Sequence, residues 1–204
     1  MAKGRKEAAR RLYEVVETQQ GFFTTKQAKA AGYAENTHPY HVGAGNWVRE
    51  HRGIYRLANF PQNGRPDLML WSLWSKNRAG ATQGIYSFET ALSIHDLSDL
   101  MPAKLHMTVP RNFRRNSEIP TPLVLHYGDL PESDTELVHG VRLTKPLRTI
   151  LDLLAAGHIP SATLRTALRE GLERGVIRRS EISGAQHHLK DNKKTLQFLR
   201  NAAA

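Results

Sequence analysis

The sequence contains no cysteine, which excludes disulfides, zinc–thiolate sites, iron–sulfur clusters and thiol nucleophiles together. It also lacks any run near the roughly 18 apolar residues that a membrane span requires. Its start, Met1-Ala2-Lys3-Gly4-Arg5-Lys6, runs into a charged helical pattern without a signal-peptide core. A soluble, cytoplasmic protein with no membrane partner is therefore expected. Acidic residues are the scarcer charge: 19 Asp+Glu stand against 29 Lys+Arg, a formal net charge of +10. Across 204 residues the hydrophobic share is 40% and the charged share 24%. Those proportions suit a folded core in one large or two small domains, and exclude a disordered polycation. Chemistry, if any, must use His, carboxylates or hydroxyls; otherwise the protein acts by binding alone.

The positive charge is unevenly spread. Residues 1–60 hold ten Lys/Arg and five Asp/Glu, whereas residues 61–204 hold nineteen and fourteen. A small basic folded segment concentrates positive potential and favours a polyanion such as nucleic acid. A cationic surface that only confers solubility would have the same composition, so motifs must decide.

Residues 5–19 place Ala8, Leu12, Val15 and Val16 at helical spacing, with charged residues around the rest of the helix. Gly21 stops it. Thr24-Thr25-Lys26-Gln27 reads as a capping box for a second helix over 25–31, and Gly32 ends that helix. A third, short helix over about 37–44 tolerates Pro39 only in its first turn, and Gly43-Ala44-Gly45 closes it. Trp47-Val48 and Ile54-Tyr55-Arg56-Leu57, with Arg49-Glu50-His51-Arg52-Gly53 between them, predict a hairpin. Three short helices and a hairpin make a winged helix-turn-helix over residues 1–60. Residues 61–66, rich in Pro, Gly and Asn, mark a linker. Over residues 67–204, an apolar helix from Asp67 to Lys76, a strand at Ile85-Tyr86 and a helix capped by Ser87 are expected first. Strands at 105–109, 123–127 and 138–143 follow, then helices at 146–156 and 161–173 and a last helical segment opening at Ser180. The fold class is α+β, a winged helix-turn-helix followed by a larger mixed α/β domain whose sheet order stays open.

In a helix-turn-helix the third helix enters the major groove, where each base pair shows a distinct donor and acceptor pattern. Here it offers Asn36, Thr37, His38, Tyr40 and His41. Asn and His can donate to base edges, and Tyr or Thr can reach phosphates or a thymine methyl. A core role for Tyr40 and Val42, with solvated histidines, stays open. Thr25 and Lys26 lie where the second helix crosses the phosphate backbone, and Arg49, His51 and Arg52 occupy the expected hairpin tip. Lys3, Arg5 and Lys6 could form a basic arm. Arg111, Arg114 and Arg115 form either a second phosphate patch or solvated charge.

Enzyme signatures are missing. No Gly-Ser with a paired Asp-x-Asp, phosphate-cradling glycine loop, Gly-x-Ser-x-Gly or His-Glu-x-x-His occurs. His187-His188 are adjacent, so their rings diverge on a helix and no metal site is expected. Arg148 and Asp152, four apart, read as an intrahelical ion pair. No catalytic residue, cofactor or metal is assigned. The alternative is a DNA-targeted nuclease or DNA-modifying enzyme, whose carboxylates would have to come from Asp67 and Asp191-Asn192-Lys193. A third reading is a protein-binding module.

Residues 10–57, with Ala31-Gly32-Tyr33 and Gly53-Ile54-Tyr55-Arg56-Leu57, resemble the winged helix-turn-helix of the AbiEi antitoxins of type IV toxin–antitoxin systems. Ser87-Phe88-Glu89-Thr90-Ala91-Leu92, His95 to Pro102, His106-Met107-Thr108-Val109-Pro110 and Thr144 to Leu153 follow that family's order, extending the likeness to about residues 10–183. The resemblance implies an autorepressor that binds inverted repeats in its own promoter, with two copies on the DNA. It further implies a C-terminal domain that counters a nucleotidyltransferase-like AbiEii toxin without a stable complex, in phage abortive infection or element maintenance. Pro39 and the Gly43-Ala44-Gly45 run depart from the pattern by making the recognition helix short and glycine-rich.

Overall fold

The computed structural model describes residues 2–61, 64–188 and 193–203, with side chains for 4–61, 64–187 and 193–201. Gln62-Asn63 of the expected linker, Asp191-Asn192 and the side chains of Lys3 and His188 thus lie outside the described residues. Helices and strands interleave as an α+β chain, in two compact units: residues 1–84 with 138–141, and residues 85–137 with 142–204.

In the first unit, α1 (Ala2–Glu17) turns Ala8, Leu12 and Val16 inward at helical spacing. On its exposed side Arg10 and Arg11 reach Glu7 at 2.9 and 3.1 Å. Such surface pairs contribute about 0.2–0.5 kcal/mol each, against about 1.5–3 kcal/mol for burying a Leu or Val side chain, so the apolar stripe positions the helix. A strand not foreseen in the sequence follows, β1 (Phe22–Thr24). Gly21 before it has φ +87°, and a Cβ there would lie 2.7 Å from the Phe60 side chain, so only glycine fits.

Helix α2 (Thr25–Ala31) carries the expected capping box. Gln27 N donates to Thr24 Oγ1 at 3.3 Å, and Thr24 N donates to Gln27 Oε1 at 2.9 Å. Gly32, at φ +110°, ends the helix. A 3₁₀ turn (Glu35–Thr37) then leads into α3 (His38–Gly43), whose first turn holds Pro39 as expected. Strands β2 (Trp47–His51) and β3 (Ile54–Leu57) complete an antiparallel sheet in the order β1-β3-β2. The expected 49–53 loop contracts to the turn Arg52-Gly53, because β2 continues to His51 through an irregularity between Arg49 and His51.

Helix α4 (Pro66–Trp74) packs on β1 and β3 and buries Leu68, Met69, Leu73 and Trp74. The first unit therefore runs to Gly84, past the segment expected as a linker. A helix with almost no polar face needs a sheet to cover it.

The second unit is built on a sheet in the order β6-β5-β4-β8-β7. Its strands are β4 (Ile85–Tyr86), β5 (Leu105–Val109), β6 (Leu123–Tyr127), β7 (Thr135–Val138) and β8 (Val141–Thr144). β4 runs antiparallel to β5 and parallel to β8, and β5 is parallel to β6. The single strand expected at 138–143 is instead split, because His139 and Gly140 take φ +49° and +83°, the two positive values of a tight hairpin turn. Helix α5 (Phe88–Ile94) follows β4, but Ser87 does not cap it: its Oγ accepts from Thr108 Oγ1 at 2.8 Å. Helices α6 (Pro146–Ala156), α7 (Ser161–Glu173), α8 (Arg179–His188) and α9 (Lys193–Ala203) follow. Leu92, Ile150, Leu153, Leu164, Leu168 and Leu199 form an aliphatic core. Among the described residues no helix is long and apolar enough to cross a membrane.

Candidate nucleic-acid interface

Helix α3 is held from behind by rings. Trp47 touches Phe23 edge-on at 4.8 Å and lies 5.0 Å from Tyr33. His41 stacks on Trp47 at 4.5 Å with 20° between the planes. His38 packs edge-on against Trp47 and Tyr55 at 5.2 and 5.7 Å and is 2% exposed, with neither ring nitrogen partnered. His38, expected to face DNA, is therefore a core residue. Aromatic neighbours enclose it, and an imidazole so placed offers nothing to a base edge. His41 is half-buried, and burial pushes its pKa down, helped by His38 and Arg5.

The opposite face of α3 and the turn before it point outward. Asn36 is exposed, and Tyr40 is 72% exposed. That exposure excludes a core role for Tyr40. Thr37 Oγ1 donates to Ala34 O at 2.6 Å, so its hydroxyl proton closes the entry turn.

Beside this face runs β2. Register places Trp47 opposite Leu57 and Arg49 opposite Tyr55. Residues two apart share a sheet face, so Arg49 emerges on the face where His38 packs. Arg49 thus sits on a strand rather than in a loop. Arg52 is exposed in the turn, while His51 points elsewhere: its ring lies 5.5 Å from Trp71 of α4, and its Nδ1 is buried without a partner. His51 accordingly leaves the set of wing residues, because the shift after Arg49 rotates it onto the α4 side. The wing turn does not project freely, since Thr25 N donates to Gly53 O at 2.9 Å. Lys26 is exposed, with Nζ donating to Arg78 O at 3.1 Å. Asn36, Tyr40, Arg49, Arg52 and Lys26 are thus exposed on one unit, whereas His38 and His51 are not among them.

In the second unit, Arg114 folds back onto the carbonyls of Arg111 and Phe113 at 3.3 and 2.9 Å, and Arg111 lies 3.7 Å from Asp129. Phe113 anchors the segment by burial. Burial lowers the Arg115 pKa. This patch is partly answered by the protein itself. The Arg148–Asp152 pair forms as expected at 2.9 Å, and Asp134 joins it at 2.5 Å. Asp67, the first half of the forced nuclease set, pairs with Arg65 at 2.8 Å. Its other half, Asp191, lies outside the described residues.

One cluster went unnoticed in the sequence. His106 Nδ1 lies 3.0 Å from His126 Nε2, with ring centroids 5.3 Å apart and planes 23° apart, the arrangement of a nearly in-plane N–H···N bond. Glu89 Oε2 lies 3.2 Å from His106 Nδ1, and Glu89 Oε1 pairs with His158 Nε2. Burial lowers the pKa of both His106 and His126, against the opposing pull of the Glu89 charge. Its members come from three distant segments, so no spacing in the sequence could reveal them. Among the described residues no group of three or more His, Asp or Glu is placed to hold a metal ion.

No curated protein matches the chain. Residues 10–58 match the family described as transcriptional regulator, AbiEi antitoxin, and that span covers most of α1, all of β1, α2 and α3, and both wing strands. The winged domain of this chain is therefore that of an AbiEi-type antitoxin and transcriptional regulator.

Proposed function

We propose that this chain is a cytoplasmic, non-enzymatic antitoxin that binds double-stranded DNA in its own promoter. There it represses its operon, and it counters an AbiEii-type nucleotidyltransferase toxin without forming a stable complex with it. The observation that supports this most is the outward face at α3: exposed Asn36 and Tyr40 stand beside a strand carrying Arg49, within the span that matches a regulator family. The side chains would divide the work. Asn36 pairs with an adenine edge in the major groove, and Tyr40 contacts a thymine methyl or a phosphate. Arg49, Arg52 and Lys26 neutralise phosphates and release counterions.

A helix of six residues rises about 9 Å and meets few base pairs, so two copies on inverted half-sites are needed for useful discrimination. The test is an electrophoretic shift with the DNA upstream of the chain's own reading frame. Retention of that duplex over a scrambled one of equal composition is expected; equal retention would remove the repressor reading. Co-expression with the neighbouring toxin gene tests the second half, where restored growth is expected and unrelieved arrest would refute it.

A further inference from the structure

We propose that Arg78, in the turn after α4, is a further phosphate-contacting residue, which with Lys26 and Arg52 forms a clamp for the backbone of duplex DNA. The inference rests on the DNA-binding reading above and extends its surface to a segment beyond the 10–58 family match. Three separate stretches of chain bring the cations together. The turn holding Arg78 is braced by Gly80 N donating to Asn77 O at 2.9 Å, by Ala81 N donating to Asn77 Oδ1 at 3.0 Å, and by the Lys76–Thr82 bridge. Lys26 Nζ donates to Arg78 O at 3.1 Å, which seats this turn against α2. On the neighbouring residue, Thr25 N donates to Gly53 O at 2.9 Å, which seats the Arg52-Gly53 turn against the same helix start.

The result is Lys26 flanked by two anchored turns, each carrying an exposed arginine. The carboxylates of this unit nearest in sequence are engaged elsewhere. Glu50 holds Arg56 at 2.7 Å, Asp67 holds Arg65 at 2.8 Å, and Glu35 holds Lys29 at 3.1 Å. Like charges fixed close together repel, so a fold that braces three of them without an acidic answer leaves a surface complementary to a polyanion. Lys26 uses one of its three N–H donors on Arg78 O and keeps two for phosphate. Arg78, with a planar fork of donors, suits bidentate contact with phosphate oxygens.

The experiment titrates the full chain against two fluorescein-labelled duplexes, one carrying the DNA upstream of its reading frame and one scrambled, over a salt series. R78A is expected to weaken both duplexes by the same factor and to lower the slope of log K against log salt by about 0.9. R78K should restore the slope. The melting temperature of R78A should match that of the wild type, which separates lost contact from lost folding. An unchanged slope for R78A, with R49A still lowering it, overturns the clamp and leaves the DNA-binding reading standing. Failure of the wild type to retain either duplex overturns both.

Discussion

Residues 1–84 hold 13 Lys and Arg against 6 Asp and Glu, so +7 of the net +10 lies there, whereas residues 85–204 carry +3. The two units also use their cations differently. In the second, Arg148 is held between Asp134 and Asp152, Arg142 reaches Glu132, and Arg174 reaches Glu170. In the first, Arg49, Arg52 and Arg78 are exposed. Their cores differ in kind as well: Phe23, Tyr33, His38, His41, Trp47 and Tyr55 stack behind α3, against leucines and isoleucines in the second unit. Rings fix orientation through their edges and faces, which suits a six-residue helix too short to hold its own direction. One unit spends its charge inward on its own architecture, and the other presents it outward.

The contrast can be broken most forcefully at Trp47. Trp47→Ala should cost about 3–5 kcal/mol and abolish DNA retention, whereas Leu164→Ala in the second unit, at about 2–5 kcal/mol, should leave DNA retention intact wherever the chain remains folded. Paired urea melts and gel shifts would read both. Next in size, Asn36→Ala should cost about 1–3 kcal/mol on the operator and little on scrambled DNA. Equal losses on both duplexes would show that Asn36 reads no base. Arg49→Ala should show the opposite signature, a uniform loss with a smaller salt slope.

Acid should separate the units too. The pKa values of His106 and His126 are lowered by burial in the fold, so below the unfolded value of about 6.5 the unfolded chain binds more protons. The stability held above that value is lost as pH falls through it, down to the lower folded values. A second proton on the His106–His126 pair would also break their N–H···N bond. Melting followed from pH 7.5 to 5.5 should show this loss in the wild type and a smaller one in H126N; identical slopes would remove the pair as its source. The smallest expected effect is Thr24→Ala, about 1 kcal/mol, read as a lowered urea midpoint.

What the sequence revealed follows how local the causes are. The α2 boundaries were legible because Thr24, Gln27 and Gly32 act within a single turn of one another. Strand β1 was not, since three residues carry no period and Phe22–Thr24 form a strand only because β3 lies alongside. His38 looked like a reader of bases because a histidine is polar. Its burial depends on Trp47 and Tyr55, which reach it through the sheet. Arg49 and His51 were placed together in a loop, and a one-residue irregularity in register separates their directions. Arg78 escaped notice because its turn lies beyond the hairpin that defines the motif.

The shortness of α3 bears on how such a regulator changes its target. With Pro39 fixing its entry, Gly43 its end and rings its inner side, recognition hangs on about two outward side chains that touch nothing in the core. Replacing Asn36 or Tyr40 redirects the choice of site without disturbing the fold, so two descendants of one gene can part company on the same chromosome after a single substitution each.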